Sequence, residues 1–178
     1  MTLDDRLDAI FAARDRAEMQ PTIDALLPLH QHHPGHARVL YELAGAYDTA
    51  GQEAVAAPLY ERALEAGLEG DLLRRCYLQL GSTLRNLQEH GRALAIFEQA
   101  RAAFPASASV AVFQALSLHA AGRGDEAFAG LLDVVADLAD APDIDRYRPA
   151  IRANAEYLRG RDAPSCADAA VRPGTAAS

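Results

Sequence analysis

Tryptophan is absent, cysteine occurs twice, and aromatic residues make up only 6% of the 178 residues. Cys76 and Cys166 lie 90 positions apart with no paired spacing. That pattern excludes a disulfide framework or a zinc knuckle and suits a reducing interior. Long apolar runs are also missing, since none approaches the ~20 residues needed to span a bilayer. The opening residues, MTLDDRLDAIF, are acidic and lack the apolar core of a secretory leader. A soluble, cytoplasmic protein with no membrane partner is expected. Basic charge is scarce: 17 Lys and Arg against 25 Asp and Glu leave a net charge of −8. Such a field repels polyphosphate, so nucleic acid is a poor candidate partner.

Half of the residues are hydrophobic and a quarter are charged, with alanine plentiful, a composition suited to one domain of close-packed helices. Apolar residues recur every three or four positions up to Leu158, and no convincing alternating strand separates the turn signals. In CYLQLGSTLRNL, Cys76 to Leu87, the residues Tyr77, Leu80, Gly81 and Leu84 fall on one helical face. Helix stops recur at Pro34-Gly35, Gly51, Gly67 to Gly70, Gln88 to Gly91, Pro105, Gly122 to Gly124 and Ala141-Pro142.

These stops mark an internal period. Thr22, Ala56, Ala93 and Ala127 are separated by 34, 37 and 34 residues. Four residues after each comes a large side chain, Leu26, Tyr60, Phe97 or Leu131, and three further on Leu29, Ala63, Ala100 or Val134. Upstream of each stands a small or apolar pair: Ala9-Ile10, Leu43-Ala44, Leu80-Gly81 and Gln114-Ala115. The physical reading is a repeated helix pair. Ala44, Gly81 and Ala115 face the small residues of the second helix, letting the axes approach at the short end of the ~8–10 Å range. The large residue fills space against the following pair, and stacked pairs together supply the core that one pair lacks.

With these residues the chain resembles a tetratricopeptide repeat protein. The best match is YLQLGSTLRNLQEHGRALAIFEQARAAFP, with Leu80-Gly81, Ala93, Phe97, Ala100 and Pro105 in the family's positions. LYELAGAYDTAGQEAVAAPLYERALEAG follows closely through Tyr47, Gly51, Ala56, Tyr60 and Ala63, and a third unit keeps Ala115, Gly122 and Ala127. The first unit, Leu3 to Pro34, is degenerate and reads as a partly capping repeat. The resemblance implies an all-α, α-α superhelix of about four helix pairs, right-handed, with a concave groove that binds peptides or proteins. Repeats are expected at about 3–36, 37–70, 74–107 and 108–141. A capping helix follows at 143–160, completing a helical domain over 1–160, and a disordered tail covers 161–178.

Local conflicts arise in three places. Pro58 falls inside a helix expected from about Gln52 to Ala66 and demands a bend or a late start. Pro149 either starts the capping helix or kinks it. The three extra residues of the second unit sit in AGLEGD, expected as a bulging loop with Asp71 as N-cap. In the cap, Tyr147, Ile151, Ala155 and Leu158 share one face.

Four histidines crowd into LHQHHPGH: His30, His32, His33 and His36. Pro34 occupies the slot of Pro105, so the cluster straddles a helix end, where cationic or dipolar side chains suit free carbonyls. The functional alternative is a His30/His33 or His33/His36 pair joined by a carboxylate around zinc or nickel. No metalloenzyme motif accompanies it, and no metal or other cofactor is expected. Ser82, Ser107, Ser109 and Ser117 lack a nucleophile context, and Asp4/Asp5 and Asp125/Glu126 read as helix-start charges. A catalytic site is not expected.

Repeats of this kind line the concave side with their first helices. That places Leu7, Phe11 and Arg14, then Arg38, Tyr41, Gly45 and Asp48, then Arg75, Leu78, Ser82 and Arg85, then Val112, Leu116 and His119 on the groove. Its arginines could hold carboxylates bidentately while Phe11 and Tyr41 anchor apolar side chains. Alternatively they pair with Asp48, Glu42 or Asp71 on adjacent turns. The Lys and Asn clamp by which some family members grip a C-terminal carboxylate is replaced by Tyr41, Gly45 and Gln79. The expectation is a non-catalytic scaffold for a protein or an acidic or mixed peptide; the alternative is a self-associating element forming a homodimer.

Overall fold

The structure, a computed structural model, describes residues 1–162. Its helices are α1 (Leu3–Ala13), α2 (Gln20–His32), α3 (Ala37–Thr49), α4 (Glu53–Glu65), α5 (Gly70–Asn86), α6 (His90–Ala103), α7 (Ala108–Ala120), α8 (Gly124–Leu138) and α9 (Pro142–Asp162). The described residues contain no strand, and none of their helices is long and apolar enough to cross a membrane.

Each helix packs on the one before and the one after, and α1, α3, α5 and α7 also touch in sequence as an inner row. This is an all-α solenoid of helix hairpins with α9 closing its C-terminal end. Local chemistry sets the breaks. Thr2 and Asp5 form a capping box on α1, with the Thr2 hydroxyl accepting from the Asp5 amide at 3.1 Å and the Asp5 carboxylate accepting from the Thr2 amide at 2.7 Å. Those bonds hold the Asp5 carboxyl below its ordinary range. Helices α3, α5 and α7 end alike: Gly51, Gln88 and Gly122 take φ of 74°, 62° and 81°, and the next residue's amide reaches back to Tyr47, Leu84 or Leu118 at 2.9 Å. Gln88 shows that the second of these stops does without glycine.

The core follows the repeat register. Tyr60 and Phe97 are fully buried, as are Ala44, Ala56, Ala63, Ala93 and Ala100. Gly81 lets α6 lie close, because a Cβ there would fall well inside contact distance of three Phe97 ring atoms. Cys76 donates from its thiol to the Tyr60 carbonyl at 3.6 Å, and burial pushes its pKa up to about 12.

Several local expectations change. Pro58 delays nothing: α4 runs unbroken from Glu53, and Pro58 sits on its exposed side, where water can serve the Ala54 carbonyl it leaves without a donor. Pro28 sits similarly inside α2. Asp71 is not an N-cap, because α5 begins at Gly70 and takes in the extra residues; Asp71 lies in its first turn and pairs with Arg74. The AGLEGD loop does not bulge freely, since Leu68 is buried in the core. Pro149 does not start α9, which begins at Pro142 and continues through Asp162, two residues beyond the expected cap. The tail expected beyond it falls, from residue 163 on, outside the described residues. Tyr147 stands apart from the packed face it was expected to share with Ile151, Ala155 and Leu158, being mostly exposed.

Candidate functional site

Two adjoining depressions form one groove along the inner row. The first, about 160 Å³, lies over α1, α3 and α5 with Phe11, Arg14, Tyr41, Glu42 and Gly45 in its walls. The second, about 350 Å³, is bounded by Asp48, Leu78, Ser82 and Phe113. Arg16, Arg75 and Gln79 line both, so Arg75 and Gln79 on α5 mark the groove's midpoint.

The side chains there fall into two groups. Some are committed to the fold. Tyr41 is buried, its ring 6.2 Å from that of Tyr60, and desolvation pushes its phenol up to about 12. Asp48 accepts from Thr83 at 3.1 Å and Tyr60 at 3.4 Å, tying α3 to α5 and α4; burial raises its pKa. Others are less committed, although Gln79 bonds the Tyr41 phenol. Among the described residues no carboxylate lies within 4 Å of Arg14, Arg16 or Arg75, and the Gln79 Oε1 and Ser82 Oγ atoms have no hydrogen-bond partner. The Arg14 guanidinium rests 3.6 Å above the Phe11 ring, a cation–π contact that keeps its charge at the rim. Glu42 is the one acid enclosed by these cations. Burial raises its pKa, and Arg38, Arg75 and Arg14 pull it partly back.

Of the expected groove residues, Phe11, Arg14, Tyr41, Asp48, Arg75, Leu78 and Ser82 meet in these depressions. Arg38, Arg85 and His119 line neither. Arg38 is spent on Asp4 at 2.9 Å, on Asp8 and on Glu42. Arg85 keeps a buried Nη1 outside the groove, and His119 is exposed near the end of α7. Glu42, Gln79 and Phe113 enter instead. They share one repeat position, spaced by 37 and 34 residues, and lie one residue after the column of Tyr41, Leu78 and Val112. That column was readable from the period. Arg16 was not, since it belongs to the irregular α1–α2 link.

The histidines do not converge. His32 bonds the Pro28 carbonyl at 2.7 Å, the His33 and His36 rings meet edgewise at 6.4 Å, and His30 is partly buried beside Arg62. Desolvation and then the Arg62 charge lower the His30 pKa. Among the described residues no three His, Cys, Asp or Glu side chains could hold a metal ion together.

The row of hairpins is matched from outside the molecule as well: the family model for the tetratrico peptide repeat covers residues 37–158, from α3 into α9. The chain is a tetratricopeptide repeat protein. No curated protein matches it. The matched span leaves out α1 and α2, whose Ile10 and Thr22 stand where small residues are usual. As a tetratricopeptide repeat protein the chain belongs with scaffolds that generally bind proteins or peptides and are generally not catalysts.

Proposed function

We propose that this repeat protein is a non-catalytic scaffold whose inner groove takes an extended peptide carrying acidic side chains. Arg75 carries the reading: it stands at the groove's midpoint with no carboxylate of the described residues within 4 Å. Arginines on the outer faces are mostly answered, for example Arg92 by Glu61 and Glu89, and Arg152 by Asp137 at 2.6 Å. Arg14, Arg16 and Arg75 together leave guanidinium forks free for bidentate carboxylate binding. Gln79 and Ser82 add polar groups for a backbone, while Leu78, Phe113 and Phe11 accept apolar side chains. The half-buried Glu42 keeps the first depression from being uniformly positive, which suits a mixed sequence over a purely acidic one.

Fluorescence anisotropy with a labelled decapeptide alternating Glu and Leu, against the same peptide with Lys for Glu, tests the reading. The acidic peptide should bind and weaken with salt. Arg75→Glu should weaken it at least about tenfold, as expected for a lost charge-assisted bond of roughly 1.5–3 kcal/mol. Arg85→Glu should leave binding nearly unchanged. Equal binding of both peptides, or indifference to Arg75→Glu, would remove the proposal.

A further inference from the structure

Tyr60, Phe97 and Leu131 hold the same repeat position, but their surroundings differ. Phe97 is sealed by Val110 and Phe113 of α7, the first helix of the next hairpin, whereas Leu131 is 37% exposed. The placement of α9 explains the difference. Inner helices touch in turn, α3 with α5 and α5 with α7, but α9 packs on α8 alone and does not reach α7. The place where another inner helix would cover α8 is open. Phe128 (56% exposed), Leu131, Val135 (43%) and Leu138 (61%) therefore form a bare apolar stripe on α8, and Tyr157 of α9 (67%) extends it. Their spacing of three, four and three residues is that of one seam of a two-helix contact.

We infer that a second copy of this chain covers the stripe, α8 against α8 about a two-fold axis, making the protein a homodimer. The acids of α8 are all answered: Asp125 by Arg161 at 3.2 Å, Glu126 by Arg123 at 2.6 Å, Asp133 by Arg159 and Asp137 by Arg152 at 2.6 Å. A chain of net charge −8 can thus approach its own copy where its field is locally cancelled. A two-fold contact sets the stripe on itself, so the seam's spacing matches on both sides. The open apolar side chains amount to on the order of 500 Å² per copy, so a modest rim brings the contact to the about 800 Å² per partner of a stable complex. Residues 163–178 contain Val171 as their one large aliphatic and no aromatic, so their composition offers little apolar surface to match the stripe.

Sedimentation velocity of the full chain over a roughly hundredfold concentration range tests this. The mass of two copies is expected at the upper end. Leu131→Glu and Leu138→Glu should each raise the dissociation constant at least about 100-fold while far-ultraviolet circular dichroism and melting temperature are retained. Val55→Glu, at an equally exposed site on α4 (43%), should leave the dimer intact. Leu138 is exposed enough that its replacement keeps the comparison meaningful even if Leu131→Glu fails to fold. The mass of one copy at every concentration, growth beyond two copies, or a dimer indifferent to Leu138→Glu would overturn the inference.

Discussion

At Gly81 the absence of a side chain does what no substitute can. The Phe97 ring occupies the space a Cβ would need, and that ring is fully buried, with neighbours on every side. Gly81→Ala gains ~1 kcal/mol of helix propensity but forces overpacking that costs typically 1–3 kcal/mol. A net loss of up to about 2 kcal/mol is expected, read as a lower urea midpoint at unchanged slope. A gain in stability would mean that α5 and α6 can part more easily than the contact suggests. Residues of this kind were legible beforehand, since a small side chain opposite a large one at a fixed interval has one simple packing solution. Arg38 and Arg75 show the limit. They hold the same repeat position, yet the first is paired with Asp4 and Asp8 of α1 while the second meets only Glu42 of α3, beyond ion-pair distance. Which arginine is consumed depends on what the preceding helix presents across the groove, and spacing along one chain does not carry that.

Among the elements, α4 tolerates a proline that its pattern argues against. Pro58 faces solvent, so the cost of the missing amide falls on a carbonyl that water can reach, and the flanking Ala57 and Leu59 still bury. Pro58→Ala should therefore raise stability by about 2 kcal/mol, the ~3 kcal/mol propensity difference being offset in part by the stiffness proline gives the unfolded chain. A thermal melt shifted up by a few degrees checks it; a fall would show that the ring itself packs usefully beside His30 and Arg62. Element types and order were plain in the 3.6-residue periodicity. Ends were less so. Asp71 looked like a cap but sits inside the first turn of α5, and Gln88 adopts a left-handed backbone where glycine was the available signal. Leu131 occupies a core position by pattern and a surface position in fact, because α9 packs elsewhere.

For the whole molecule, two half-buried carboxylates shape the acid side of the stability curve. Burial raises the pKa of both Glu42 and Asp48 above their unfolded values. The stability such groups contribute is present in full below the unfolded pKa and is lost as pH rises through the folded one, so at neutral pH each opposes folding. Glu42→Gln should raise the melting temperature at about pH 7, with the difference shrinking toward about pH 4. A variant less stable than wild type at neutral pH would show that Glu42 earns more from Arg38, Arg75 and Arg14 than its desolvation costs. The solenoid itself was legible from the period alone, because stacking is the one way hairpins so rich in alanine can bury a stripe. The groove's charge was half legible: its arginines could be counted, but Arg16 arrives from a link without periodicity.

Cys76 lies where α4 meets α5, its sulfur turned onto the Tyr60 carbonyl and its thiol held protonated. An alkylating reagent can reach it only after those two helices separate. The rate of carboxymethylation at that position, followed by mass spectrometry of the peptide that carries it, is therefore a clock for spontaneous breathing at the middle of the array, kept by an atom already in place.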